Sequence, residues 1–170
     1  MQDQERPASI PGVASELAPF SADVYVGGVD RAELITRLAS LLEGFDGLLE
    51  AYLFGSQARG EASALSDIDV AIYVDPAHLS RGGADADVEV ATALMAALGT
   101  NQIDVVLLNR ADPVLYHRVL RDGVRLLSRD LKQTTVREGR AISRYCDYVP
   151  QLKKIEAARL ARRKRGEFGR

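Results

Sequence analysis

A repeated change of period constrains this chain most. Between residues 30 and 150 the apolar positions switch between helical and strand spacing several times. Leu34, Ile35, Leu38, Leu41 and Leu42 form a helical stripe over 30–43. Asp30 is placed to cap it, Glu33 follows three residues later, and Gly44 and Gly47 close it. Leu48 to Phe54 read as a strand, and 55–60 as a turn that opens a short helix. Asp67 to Val74 read as a second strand, with Ile68, Val70, Ile72 and Val74 on one face. Residues 75–86, with Pro76, Gly82 and Gly83, read as a loop. Val88, Ala91, Leu94, Met95 and Leu98 form a second helical stripe closed by Gly99. A third strand is expected over 102–108, a helix over 113–122 stopped by Gly123, and a fourth strand over 124–127. A long helix is expected from about Thr134, interrupted near Pro150. This order predicts one α/β (α+β) domain: a small mixed sheet of about four strands flanked by helices.

The chain divides into three parts by composition. Residues 1–22 hold three of the six prolines and read as a flexible arm with one short helix near Val13–Leu17. Residues 23–150 form the body, and 151–170 a basic helical tail. The net charge of −2 hides an asymmetry. The tail has eight Lys/Arg against two Asp/Glu, hence +6, which leaves −8 for the other 150 residues. An acidic body argues against a broad nucleic-acid surface, whereas the tail could hold nucleic acid or an acidic partner. The plainer account of the tail is a solvated helix end. No run approaches the length of a membrane span, and no secretory signal opens the chain. With one cysteine, Cys146, no intramolecular disulfide framework is possible, and a cytoplasmic location is expected.

The chemistry concentrates in Leu53-Phe54-Gly55-Ser56-Gln57-Ala58-Arg59-Gly60 and Ser66-Asp67-Ile68-Asp69. A Gly-Ser pair leaving a strand and entering a helix start puts free backbone N–H groups and a hydroxyl where a phosphate can sit. Asp67 and Asp69, two apart on a strand, share a face. Side by side on an apolar strand they are costly unless a cation lies between them, and a hard ion such as Mg²⁺ suits a few carboxylates plus substrate phosphates. Asp104, set among apolar residues of the next strand, would lie across the ladder from that row. Three carboxylates around two metals beside a phosphate cradle are the parts of in-line nucleotidyl transfer. Each has a plainer alternative: strand-entry caps for Asp67 and Asp69, and a structural ion pair for Asp104.

Gly55-Ser56, ten residues, then Asp67-x-Asp69 resembles the signature of the DNA polymerase β-like nucleotidyltransferase superfamily. Phe54 to Gly60 and Ser66 to Asp69 are similar to its minimal nucleotidyltransferase (MNT) branch, mostly antitoxins paired with HEPN-domain ribonuclease toxins. The resemblance spans roughly two thirds of the chain and implies a nucleotidyltransferase fold. It implies Mg²⁺-dependent transfer of AMP from ATP to a tyrosine of a cognate HEPN toxin, in a type VII-like system with toxin and antitoxin in one hetero-oligomer. On this resemblance Gly55 and Ser56 hold the phosphates of ATP. Asp67, Asp69 and Asp104 bind two Mg²⁺ ions, with Asp104 on the acceptor side. Arg59 is a candidate for neutralising the triphosphate, with a plain surface role as an equal alternative.

Two other functions stay open: a small-molecule nucleotidyltransferase of the aminoglycoside-modifying kind, and an antitoxin that blocks its partner by contact. Several look-alikes do not carry chemistry. Gly55-x4-Gly60 lacks the Lys-Ser/Thr of a P-loop. Asp85-x-Asp87 reads as helix capping and dipole compensation. Arg110 and His117 sit at a ribonuclease-like spacing, but Arg110 leaves a strand. His78 and Cys146 lack partners at metal or triad spacing. Tyr145 and Tyr148 read as core.

Overall fold

The computed structural model describes residues 30–63, 66–80 and 85–164. The expected helix over 13–17 lies outside them. The elements are α1 (Arg31–Glu43), β1 (Leu48–Phe54), α2 (Gly55–Arg59), β2 (Ile68–Val74), α3 (Pro76–Ser80), α4 (Ala86–Leu98), β3 (Ile103–Leu107), α5 (Pro113–Asp122), β4 (Val124–Ser128) and α6 (Leu131–Lys164). The strands form one sheet in the order β3-β2-β1-β4. β2 and β3 run parallel and the other pairs antiparallel, so the sheet is mixed as expected.

Alternation along the central strands builds two cores. Ile68, Val70, Ile72 and Val74 face α1 and α4, packing with Leu34, Leu38, Leu42, Leu94 and Leu98. On the other face, Tyr52, Phe54 and Ala71 meet Tyr116 and Val119 of α5 and Ala141 of α6. Each fully buried leucine contributes about 1.5–3 kcal/mol, so the α1/α4 face dominates the hydrophobic stabilisation.

Helix ends follow local chemistry. The Asp30 carboxylate accepts from the N–H of Ala32, while Glu33 turns outward to pair with Arg37 at 3.0 Å. Asp112 accepts from both Val114 and Leu115, and Pro113 opens α5 where a missing N–H costs nothing.

Four expectations are corrected. Residues 76–80 form a short helix, because Asp75 accepts from the N–H of Ala77 and Pro76 sets the first turn; 81–84 of the expected loop lie outside the described residues. The buried stripe of α4 is Ala86, Val90, Leu94 and Leu98, while Val88 is 61% exposed. Asp85 stands at the N-cap of α4 but makes no side-chain cap bond, so only the dipole part of its expected role remains, shared with Asp87 and Glu89. Helix α6 begins at Leu131 and continues through Pro150. A proline there removes one backbone bond, which an exposed helix can lose to water.

Candidate active site

Phe54, Asp69 and Asp104 stand in a row across one end of the sheet. Phe54 pairs with Asp69 across β1 and β2, and Asp69 pairs with Asp104 across β2 and β3. Neighbouring strands lie about 4.8 Å apart, so the two carboxylates leave adjacent backbones on the same face. Asp67 sits just before β2, whose entry is fixed by a 2.8 Å bond from the N–H of Ile68 to Gln102. Asp69 is half-buried, whereas Asp67 and Asp104 are exposed. The apolar neighbours of Asp104 in sequence therefore do not bury it: it stands near the start of the edge strand β3, where its side chain is exposed.

Gly55 meets this row directly. Its φ is +71°, a conformation that glycine adopts freely and other residues rarely do. A Cβ there would stand 1.9 Å from Oδ2 of Asp69. The Gly-Ser turn and the second aspartate are thus two halves of one contact. Gly55→Ala is expected to displace the Asp69 carboxylate and lower nucleotidyl transfer by at least ~100-fold while the chain still folds. Equal activity in the variant would separate the turn from the carboxylates.

Ser56 follows in the first turn of α2, half-buried. The helix is a single turn, so its dipole is small. A phosphate here would depend on the N–H groups and the Ser56 hydroxyl. Arg31 of α1 anchors α2 with bonds of 3.1 and 2.7 Å to the carbonyl of Ala58. Arg59 is drawn to Glu61 at 2.7 Å, yet its charge also reaches Asp69.

Burial pushes the Asp69 carboxyl above its ordinary range, and the negative charges of Asp104 and Asp67 push it further; Arg59 opposes them. Mutual repulsion of this kind fits a site that receives a cation. Among the described residues, no three His, Cys, Asp or Glu side chains are gathered into a ready-made cage. Mg²⁺ keeps waters and substrate phosphates among its ligands, so the facing carboxylates of Asp69 and Asp104 could take part in holding it. The donor set at this end of the sheet therefore fits the ion.

A family model described as polymerase beta, nucleotidyltransferase matches residues 36–132, a span that includes Gly55, Ser56, Asp67, Asp69 and Asp104. The chain belongs to the polymerase beta nucleotidyltransferase family. Its fold is also that of solved toxin–antitoxin structures. One, a toxin–antitoxin complex with AMP-PNP, is 26% identical with a TM-score of 0.59, covering 78% of this chain and 99% of that one. Another is a tri-AMPylated Shewanella oneidensis HEPN toxin in complex with MNT antitoxin, 24% identical with a TM-score of 0.58, covering 77% and 99%. A third, MntA-HepT, is 24% identical with a TM-score of 0.55, covering 74% and 96%. No curated protein matches the chain.

The look-alike residues have places of their own in this nucleotidyltransferase fold. His117 stacks on Tyr145 at 3.7 Å along the α5–α6 seam, and Arg110 is exposed in the turn after β3. Tyr145 and Tyr148 are half-buried rather than core, and Cys146 is exposed. The sequence reading missed a buried ionic network. Glu50, in the middle of β1, is 0% exposed and pairs with Arg137 of α6. The Tyr52 hydroxyl lies 3.0 Å from Glu50 and 2.9 Å from Glu138, which also accepts from Arg125 at 2.7 Å. Arg137 stacks 5.0 Å from the ring centre of Tyr73. A single acid between Leu49 and Ala51 was the only signal, and its cation lies 87 residues away.

Proposed function

We propose that this chain transfers AMP from ATP, with Mg²⁺, to a protein hydroxyl, most specifically a tyrosine of a HEPN ribonuclease toxin that it thereby silences. The observation that carries the reading is the contact of Gly55 with Asp69 directly opposite Asp104. A phosphate turn and paired carboxylates meet there at one open sheet end. Similarity of fold to a complex of MNT antitoxin with an AMPylated HEPN toxin supports the choice of acceptor class.

In this reading the N–H groups of the Gly55-Ser56 turn and the Ser56 hydroxyl orient the β- and γ-phosphates. Asp67, Asp69 and Asp104 would hold two Mg²⁺ ions, which when bound would supply charge neutralisation to the phosphates. Asp104, exposed on the edge strand, faces the incoming acceptor and helps to remove its proton. A tyrosine hydroxyl needs that help, because its ordinary pKa is ~10. The acceptor oxygen forms a bond to the α-phosphorus as the bond to pyrophosphate breaks. Arg59 leaves Glu61 to neutralise the triphosphate. The acidic body does not bind nucleic acid, and the protein works in the cytoplasm as part of a hetero-oligomer with its toxin. In domain terms the arm is 1–22, the catalytic body 23–150 and the tail 151–170. Among the described residues no helix is long and apolar enough to cross a membrane.

The direct test is incubation with labelled ATP and Mg²⁺, with and without a small all-helical protein encoded beside this chain, followed by intact mass. Gain of AMP on the partner supports the reading; label on an added aminoglycoside instead would favour the small-molecule alternative. Asp104→Asn is expected to keep ATP binding within a few-fold and lose transfer by ~100-fold or more. Full protection by a transfer-dead Asp104→Asn variant at normal expression would make contact, not modification, the protective act. Calorimetric titration of ATP should show affinity that depends on Mg²⁺. Equal affinity in chelator would remove the metal from the reading.

A further inference from the structure

Helix α6 does two different things along its length. Its first half climbs the sheet: Thr134 bonds to Ser128 at one end of β4, Glu138 reaches Tyr52 and Arg125, and Tyr145 meets His117. It therefore leaves the body near the end that carries Phe54 and Asp69. Every side chain described from Lys153 to Arg162 is exposed, including Ile155 and Leu160, the latter 56% exposed. Over 153–164 the sequence has six Lys/Arg and one acid, Glu156. One acid cannot compensate six cations by pairs three or four residues apart, so this segment repels itself. It is a charged helix with apolar side chains facing water and, among the described residues, none packed over them.

The surface of opposite character is on α4. Val88, 61% exposed, stands among Asp85, Asp87 and Glu89, and α4 has no Lys or Arg. This first turn lies beside Phe45, Leu48 and Val74, at the far end of the sheet from Asp69. It also lies on the opposite sheet face, because α4 packs in the core of α1 while α6 packs in the core of α5. The exposed segment of α6 starts at the other end of the sheet and on the other face. Among the described residues the basic arm and the acidic, Val88-bearing turn are both exposed and neither covers the other.

We propose that residues 153–164 of α6 dock on the α4 surface of a second copy of this chain. Each copy carries one arm and one receiving surface, and a pair in which both contacts form closes as a dimer. The charge balance favours this occupant: the body outside the last twenty residues carries −8 against +6 in the tail. The exposed Ile155, Leu160 and Val88 favour a protein surface over a phosphate backbone, which has no use for apolar side chains.

The test is sedimentation equilibrium of the full chain up to about 200 μM, at about 50 mM and 500 mM salt, where screening differs severalfold. A dimer that weakens at least tenfold at high salt is expected. Arg159→Glu with Arg162→Glu on the arm, and separately Asp87→Lys with Glu89→Lys on α4, should each give folded monomers by circular dichroism. Mixing the two variants should restore a heterodimer, since each interface then pairs opposite charges again. The proposal is overturned by a wild-type chain that stays monomeric, by a dimer indifferent to both reversals, or by reversed variants that do not recombine. An arm that instead binds a fluorescent RNA oligonucleotide, with the chain monomeric, would assign it to nucleic acid and likewise overturn the proposal.

Discussion

Arg137→Met is expected to lower the unfolding free energy by about 3–5 kcal/mol, which is a fall of roughly 6–20 °C in melting temperature for a chain of this size. The reason is the carboxylate left behind. Glu50 is 0% exposed in the central strand β1, and Arg137 of α6 is the cation bonded to it. Removing the guanidinium leaves a buried carboxylate with the Tyr52 hydroxyl as its remaining side-chain partner among the described residues, a hydroxyl already shared with Glu138. The stacking of Arg137 on Tyr73 is lost as well. Burial and the charge of Glu50 also hold the Tyr52 phenol well above its ordinary range, so it stays a neutral donor at any workable pH. Glu50→Gln in the Arg137→Met background should recover a good part of the loss by removing the orphaned charge. Chemical denaturation of wild type and the two variants decides the matter; a loss under about 1 kcal/mol for Arg137→Met would mean that water or a rearranged partner reaches Glu50.

Asp69→Asn should separate stability from activity in opposite directions. Burial, then Asp104, then Asp67 raise the folded-state carboxyl above its ordinary value. Between the ordinary and the raised values the folded chain binds more protons than the unfolded one. The contribution of this carboxyl to stability is therefore greatest at low pH and is lost as pH rises through the raised value. At neutral pH without divalent ions, wild type bears this cost and Asp69→Asn does not. The variant should melt higher than wild type in chelator and lose transfer by ~100-fold or more. Mg²⁺ with ATP should then raise the wild-type melting temperature and leave the variant almost unmoved. Thermal scans from pH 5 to 8, with and without Mg²⁺, check both parts. A variant less stable than wild type in chelator would show that Asp69 is a structural carboxylate rather than one held in readiness for a cation.

These two residues also show what is legible in a chain like this. Asp69 could be found from its neighbours in sequence. The Gly55-Ser56 turn, the alternation of Ile68, Val70 and Ile72, and the two-residue step from Asp67 define a strand face without reference to anything distant. The same local rules placed α1, β1, α5 and the start of α2, since periods, caps and turn glycines act within a few residues. Short-range rules do not reach across the sheet. They could not establish that Asp104 lies directly opposite Asp69, that the missing Cβ of Gly55 makes room for that carboxylate, or that Val88 faces outward from a stripe that looks helical. Nor could they find Glu50 and Arg137, whose pairing depends on how α6 crosses β1 after 87 residues of intervening chain. The amino-acid sequence by itself determined the elements and the chemical character of the carboxylate end. Strand register and helix docking, which depend on long-range packing, decided which charges share one site and which face stays open.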